Sequence, residues 1–94
     1  MDQRSFPKQA HLDFVDHIAR EEVSKYPELT YVDTLASSAV TRRTYDVGVE
    51  RAGQILRLPI PFQVIERCEH AGNDEELRQR LKEFLESSLK AELR

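Results

Sequence analysis

The side chains of this chain that could do covalent or metal chemistry are its single cysteine and its three histidines. Cys68 and His70 are two positions apart, so on a helix they would point to nearly opposite sides, and on a strand they would share a face. A nucleophilic cysteine needs a positioned base, and no signature of a cysteine enzyme surrounds Cys68. A metal bound by this pair would still lack two ligands. We therefore expect Cys68 to be a small apolar filler of the core.

The other two histidines lie in a segment with helical periodicity, among several carboxylates. His11 and His17 would be about 240° apart around a helix, whereas two imidazoles that share a metal on one helix face are four positions apart. We interpret them, with Asp13 and Glu21, as a solvated helix face. The sequence thus predicts no catalytic residue, no cofactor and no metal site. We expect a protein that is not an enzyme, and a small enzyme that uses Cys68 is the alternative.

A group of arginines in the middle of the chain could contact a partner. On a strand, Arg43 would share a side with Tyr45 and Arg51, and such a row can stack on and pair with a nucleic-acid strand. The same row could bind an acidic segment of a partner protein, or it could simply keep an open sheet face soluble. The candidate contact residues for a protein partner or a nucleic acid are Arg42, Arg43, Tyr45, Arg51 and Arg57.

The charge balance gives nucleic-acid binding little help. The chain has 14 lysines and arginines against 17 aspartates and glutamates, a net charge of −3, and no third of the sequence is basic. A lone cysteine suits a reducing compartment, and the N-terminal segment lacks the apolar region of a secretory signal. No apolar run approaches the ~20 residues of a membrane span. We expect a cytoplasmic protein that does not enter the membrane and for which a nucleic-acid partner is disfavoured.

Hydrophobic periodicity predicts a helix followed by three strands. Apolar residues recur at three- and four-residue steps over residues 7–26, which is typical of an amphipathic helix that ends at Pro27. The period then changes to two, and the segments 29–36, 39–51 and 55–60 are predicted strands. Pro59 cannot donate a ladder hydrogen bond, so the third strand should lie at an edge of the sheet.

The last third of the chain predicts helices. After Pro61 the third strand could continue through Val64, or a short helix could begin and end at Gly72; we favour the helix. Asn73, with Glu76 three positions later, has the spacing of a capping box at the start of a long helix. The apolar stripe of that helix consists of Leu77, Leu81, Phe84, Leu85 and Leu89.

These elements predict one α+β domain over residues 1–94. A three-stranded antiparallel sheet would carry the N-terminal and C-terminal helices packed on one face. The order of helix, three strands and helix resembles the double-stranded-RNA-binding domain in topology. That family has a basic cluster at the start of its last helix, where this chain has Asp74, Glu75 and Glu76, so the resemblance assigns no RNA contact here.

A second resemblance covers residues 56–81. The run LRLPIPFQVIERCEHAGNDEELRQRL is similar to small proteobacterial proteins that are classed as a domain of unknown function, and it implies no activity or site.

The predicted architecture itself suggests how the protein acts. A sheet covered on one face leaves its other face and its edges exposed, and association with a partner is a common way to cover them. We therefore expect a non-enzymatic binding or regulatory protein with a protein partner or a homodimer. The alternatives are a nucleic-acid-associated protein that uses the arginines, and the Cys68 enzyme.

Overall fold

A computed structural model describes residues 9–37 and 43–90 of the chain. The elements are α1 (Gln9–Val23), β1 (Thr30–Ser37), β2 (Thr44–Arg51), β3 (Gln54–Pro61), α2 (Phe62–Ala71) and α3 (Glu75–Lys90). This order confirms the predicted α+β class, and it also confirms the short helix that was favoured after Pro61. No helix in the described ranges is long and apolar enough to cross a membrane.

The strands form one antiparallel sheet in the order β1-β2-β3, so the proline-containing β3 lies at an edge, as predicted. Arg51 pairs with Gln54, which leaves a two-residue hairpin loop of Ala52 and Gly53. Both loop residues have positive φ, 51° and 82°, the geometry of the turn that matches the twist of paired strands. The β2–β3 register is therefore set by a tight turn, and it pairs Gly48 directly with Arg57.

A β-bulge interrupts β1 between Tyr31 and Asp33. Residues two apart on a regular strand point to the same face, but the extra residue Val32 changes this alternation. Tyr31 consequently reaches α1 through a hydrogen bond to Asp16, whereas Asp33 contacts Arg57 on the other side of the sheet.

All three helices cover one face of the sheet and enclose the core. The strand residues Tyr45, Val47, Val49 and Ile60 are buried there against the helices. The helical side of the core is formed by Val15, Ile18, Ala19, Val23, Val64, Ile65, Cys68, Leu77, Leu81 and Leu85. The expected position of Cys68 inside the core is therefore confirmed.

The predicted stripe of α3 is confirmed at its centre. Leu77, Leu81 and Leu85 are fully buried, whereas Phe84 and Leu89 pack at the margin of the core and are partly buried. Ser88 is buried in addition, and its hydroxyl donates to the Phe84 carbonyl oxygen at 2.8 Å. A serine tolerates this position because its own helix supplies the hydrogen-bond acceptor.

Helix ends differ from the predictions in two places. Helix α1 ends at Val23 rather than at Tyr26, because the amide of Tyr26 bonds the Val23 carbonyl at 2.9 Å in a tighter turn. Asn73 caps α3 through the Glu75 amide, at 3.2 Å. The side chain of Glu76 does not complete the capping box, because it binds Arg67 of α2 instead.

Helix α2 ends at a residue whose backbone is in the left-handed conformation. Gly72 has φ of 72° and its amide bonds the Glu69 carbonyl, while the Asn73 amide bonds the Cys68 carbonyl. These two bonds are the Schellman arrangement, which glycine adopts without a steric penalty. The turn reverses the chain so that α3 packs beside α2 on the same sheet face.

Candidate functional site

The face of the sheet opposite the helices, called here the open face, is the candidate functional surface. Its members, assigned from strand register, are Thr30, Asp33, Leu35 and Ser37 of β1, Thr44, Asp46, Gly48 and Glu50 of β2, and Ile55, Arg57, Pro59 and Pro61 of β3. Leu35 is 50% exposed and Ile55 is 53% exposed, and Val32 at the bulge is 36% exposed. These are the most exposed large hydrophobic residues of the described chain, and all three belong to the outer strands.

Four rows of residues cross the open face, and the first is Ser37, Thr44 and Pro61. The second row is Leu35, Asp46 and Pro59, and the last is Thr30, Glu50 and Ile55. The row between them is Asp33, Gly48 and Arg57. Each acidic residue of β2 therefore has an exposed apolar neighbour on an outer strand.

The row of Asp33, Gly48 and Arg57 contains an ion pair that crosses above the glycine. Arg57 Nη1 lies 2.5 Å from Asp33 Oδ1, and a Cβ atom at Gly48 would lie 2.7 Å from the same Nη1 atom. The glycine therefore makes room for the guanidinium to lie flat against the sheet. The hydrogen bond that Arg57 donates to Asp33 raises the pKa of Arg57 above its ordinary value.

The open face is acidic. It bears the carboxylates of Asp33, Asp46 and Glu50 against the guanidinium of Arg57, which leaves a net formal charge of −2. Asp46 also accepts a hydrogen bond from the Thr44 hydroxyl at 2.7 Å. A surface with this balance repels phosphate and attracts cationic groups.

The structure does not bring the predicted arginine row together on an accessible surface. Tyr45 and Arg51 do occupy the same side of β2, but that side faces the helices. Tyr45 is only 1% exposed, and its ring packs 4.6 Å from the ring of Phe62, centroid to centroid. Tyr45 therefore cannot stack on a base. Alternation along β2 was recognised correctly in the sequence, but alternation alone does not tell which side the helices cover.

The remaining candidate arginines are dispersed. Arg51 reaches the C-terminal part of α3, where its Nη1 atom donates to the Ser88 carbonyl at 2.6 Å. Arg43 is exposed just before β2, and its carbonyl accepts the Phe62 amide at 3.0 Å. Arg57 lies on the open face in its pair with Asp33. Arg42 falls outside the described residues.

Cys68 and His70 lie in different surroundings. Cys68 is buried in the core, while His70 is exposed on the outer side of α2. A shallow groove runs along that outer side, and the Arg67–Glu76 ion pair lies across it. Within residues 9–37 and 43–90, no three metal-ligating side chains come together.

His11 is the histidine that the sequence interpretation placed wrongly. It is buried rather than solvated, its Nε2 atom lies 2.9 Å from Glu69 Oε2, and its ring meets the Tyr45 ring edge-on. His17, by contrast, is exposed and pairs with Glu21 one helical turn away. His11 precedes Val15 by four positions and so continues the buried stripe of α1, which is the signal that could have located it.

A second polar cluster joins α1 to β1. The Tyr31 hydroxyl donates to Asp16, and Arg20 lies over the Tyr31 ring, 4.6 Å from its centroid. Burial, together with the bond to Asp16, raises the pKa of Tyr31 to about 12. The same bond lowers the pKa of Asp16. A neutral tyrosine bound to an ionised aspartate is a fixed structural link rather than an acid–base pair poised near neutral pH.

A third cluster joins α1 to α3 around a buried carboxylate. Glu22 is 5% exposed and accepts hydrogen bonds from Arg78 at 2.7 Å and from Lys25 at 2.9 Å. Burial acts to raise the pKa of Glu22, but the two cationic donors outweigh it and hold this pKa below its ordinary value. Arg78 also binds Asp74 at 2.9 Å, so one guanidinium ties the start of α3 to α1.

No family model matches the sequence, and neither the curated proteins nor the solved structures include one with significant similarity to it. The resemblances to the double-stranded-RNA-binding domain and to the small proteobacterial proteins therefore stay predictions.

Proposed function

We propose that this protein is a non-enzymatic, cytoplasmic binding module that uses its open sheet face to hold a protein partner. The observation that carries the proposal is the position of Leu35 and Ile55, which are half exposed on the face that the helices leave uncovered. Exposed apolar residues grouped on one surface, with polar residues beside them, are typical of protein-interaction sites.

The polar groups elsewhere support a structural role rather than catalysis. Across the described residues, every buried polar side-chain atom has a hydrogen-bond partner. The three clusters around His11, Tyr31 and Glu22 each link two elements of the fold. A catalytic site needs a reactive group that is accessible to substrate, and Cys68 faces the core instead.

The separation of the arginines gives the nucleic-acid alternative no support. Stacking platforms and phosphate contacts must lie on one surface to follow a strand. Here Tyr45 is buried, Arg51 binds α3, and Arg57 lies among carboxylates.

A quantitative pull-down tests the proposal. A double variant, Leu35→Ser with Ile55→Ser, makes the open face polar while leaving the core intact, because both side chains are half exposed. Affinity-tagged wild type and variant are compared by mass spectrometry of the recovered proteins. We expect at least one protein to be recovered by the wild type and depleted about tenfold or more with the variant, the loss expected for ~1.4 kcal/mol.

A matched control changes two exposed residues on the helical side, Gln63→Ser with Lys82→Ser, and should leave recovery unchanged. Circular dichroism melts must show that both variants fold. Equal recovery by the wild type and the open-face variant would contradict the proposal.

A further inference from the structure

The open face has an acidic midline between two apolar flanks. The midline carries the carboxylates of Asp46 and Glu50 on the central strand, and the Arg57 guanidinium, paired with Asp33, lies over Gly48 between them. The flanks consist of Leu35 on β1 and of Ile55 and Pro59 on β3. Leu35 and Pro59 are the register partners of Asp46 on its two sides, and Ile55 is the partner of Glu50. An occupant that complements this face is therefore apolar at its sides and has two separated cationic groups, one near Asp46 and one near Glu50.

We propose that the open face binds an amphipathic helix of a partner protein whose apolar stripe contains two lysines or arginines seven or eight residues apart. This inference rests on the proposed function and specifies the partner.

The spacing follows from the geometry of the two elements. Asp46 and Glu50 are four positions apart on a strand, which is ~13 Å at ~3.3 Å per residue. A helix rises ~1.5 Å per residue, so groups on one side of it at i and i+7 or i+8 are ~11–12 Å apart. Lysine and arginine side chains are long enough to make up the small difference.

The dimensions of the face fit one helix. Three strands spaced ~4.8 Å apart place the outer strands ~10 Å from each other, close to the ~10 Å diameter of a helix. The strands are 8 residues long, or ~26 Å, which a helix of ~17 residues would span. A helix laid there would convert the two-layer domain into a sheet covered on both faces.

A second copy of the chain fits this face less well. Stacking two copies about a two-fold axis along β2 would place the midline of one over the midline of the other, so that carboxylates meet carboxylates. Like charges brought together at an interface cost several kcal/mol.

Two synthetic peptides of ~18 residues, a length that covers the strands, provide the probe. Both are built from leucine on one stripe and from alanine and glutamine elsewhere. One carries lysine at two central positions of the stripe separated by eight, and the other carries glutamate there. Binding to the full-length protein is measured by fluorescence anisotropy at low salt, and amide chemical shifts locate the site.

We expect the lysine peptide to bind, the glutamate peptide to bind at least tenfold more weakly, and the shifts to map to β1, β2 and β3. The double variant Asp46→Asn with Glu50→Gln should bind the lysine peptide about five- to tenfold more weakly, which is the effect of losing two exposed charge pairs. A control with the same net charge, Glu66→Gln with Glu86→Gln on exposed helix positions, should bind as the wild type does.

Several results would overturn the inference. These are no binding of the lysine peptide, equal weakening by both double variants, shifts confined to the helices, or sedimentation showing that the wild type alone forms a dimer through this face. If the pull-down recovers a partner that depends on Leu35 and Ile55 while the lysine peptide fails, the helix-and-cation inference is wrong and the proposed function stands. If both experiments fail, both proposals fall.

Discussion

Gly48 shows how a single missing side chain organises the open face. A Cβ atom at this position would lie 2.7 Å from Arg57 Nη1, the end of a flexible side chain that can move away. We expect Gly48→Ala to change the free energy of unfolding by no more than about 1 kcal/mol, because a weaker ion pair and a less flexible unfolded chain offset each other. In an Arg57→Ala background the guanidinium is gone and the Asp33 carboxylate, whose Oδ1 atom lies 3.0 Å from the new methyl group, is released from its ion pair and can shift, so the same change should be stabilising. Urea denaturation of the wild type, the two single variants and the double variant measures both effects. A lower free energy of unfolding for the double variant than for Arg57→Ala would contradict this account.

Tyr31 gives a prediction for alkaline pH. Its folded pKa of about 12 lies above the ordinary value of 10.0, so its stabilising bond to Asp16 is fully present below pH ~10. This stability is lost as pH rises through ~12. The free-energy difference between wild type and Tyr31→Phe should therefore shrink over that window, as measured by urea denaturation, with Tyr26→Phe as the control. A difference that stays constant with pH would show that Tyr31 ionises normally.

At the scale of elements, the link between α1 and α3 depends on Arg78. Removing its side chain by Arg78→Ala takes one of the two cationic donors from the buried carboxylate of Glu22 and leaves the bond from Lys25. We expect a loss of about 1–3 kcal/mol, the usual penalty when a buried polar group loses a partner. The exposed Arg67→Ala change, which breaks a pair between α2 and α3, should have a smaller effect. Equal effects in thermal melts would mean that the burial of Glu22 is unimportant.

The α3 stripe gives a test of the core. Leu81 is fully buried between the sheet and the other helices, and Leu81→Ala should cost about 2–5 kcal/mol. The loss should be the same at two protein concentrations, because the contacts are within one chain. The matched substitution Leu35→Ala, at a residue that is half exposed, should lower the free energy of unfolding much less. A loss for Leu81→Ala that appears at high concentration alone would place this residue in an interface.

Local patterns predicted the elements well and their long-range relations poorly. Gly72 and Pro61 flank α2 with turn chemistry that is readable in the sequence, and the α3 stripe is regular. The bulge at Val32 follows from pairing with β2, which no local pattern encodes. For the same reason the sequence could not show that Arg57 reaches Asp33 or that His11 meets Glu69, residues that are far apart along the chain.

For the whole molecule, the candidate site was predicted in outline and not in its residues. An uncovered sheet face follows from three strands and two long helices, and the structure has one. The named arginines, however, were chosen for charge, whereas the surface that the fold leaves open is acidic with apolar flanks. Which face of β2 the helices cover depends on tertiary packing. Alternation along the strand separates its residues into two faces, but it does not show which face is covered.

This charge distribution predicts that nucleic acid does not bind. Labelled single-stranded and double-stranded RNA and DNA should show no salt-dependent binding at ~50 μM protein, a concentration at which ordinary non-specific binders are detected. Fluorescence anisotropy at two salt concentrations is the measurement. A clear affinity that falls steeply with salt would restore the arginines as contact residues.

Site-specific photo-crosslinking tests the central claim, that the open face holds a protein partner, most directly. A photoreactive amino acid replaces Leu35 on the open face in one protein and the exposed Lys82 on α3 in another, and both are irradiated in the producing cell. The account predicts a discrete heavier adduct from position 35 that is absent from position 82 and that disappears with Ile55→Ser. Adducts of equal yield from both positions, or from position 82 alone, would contradict it.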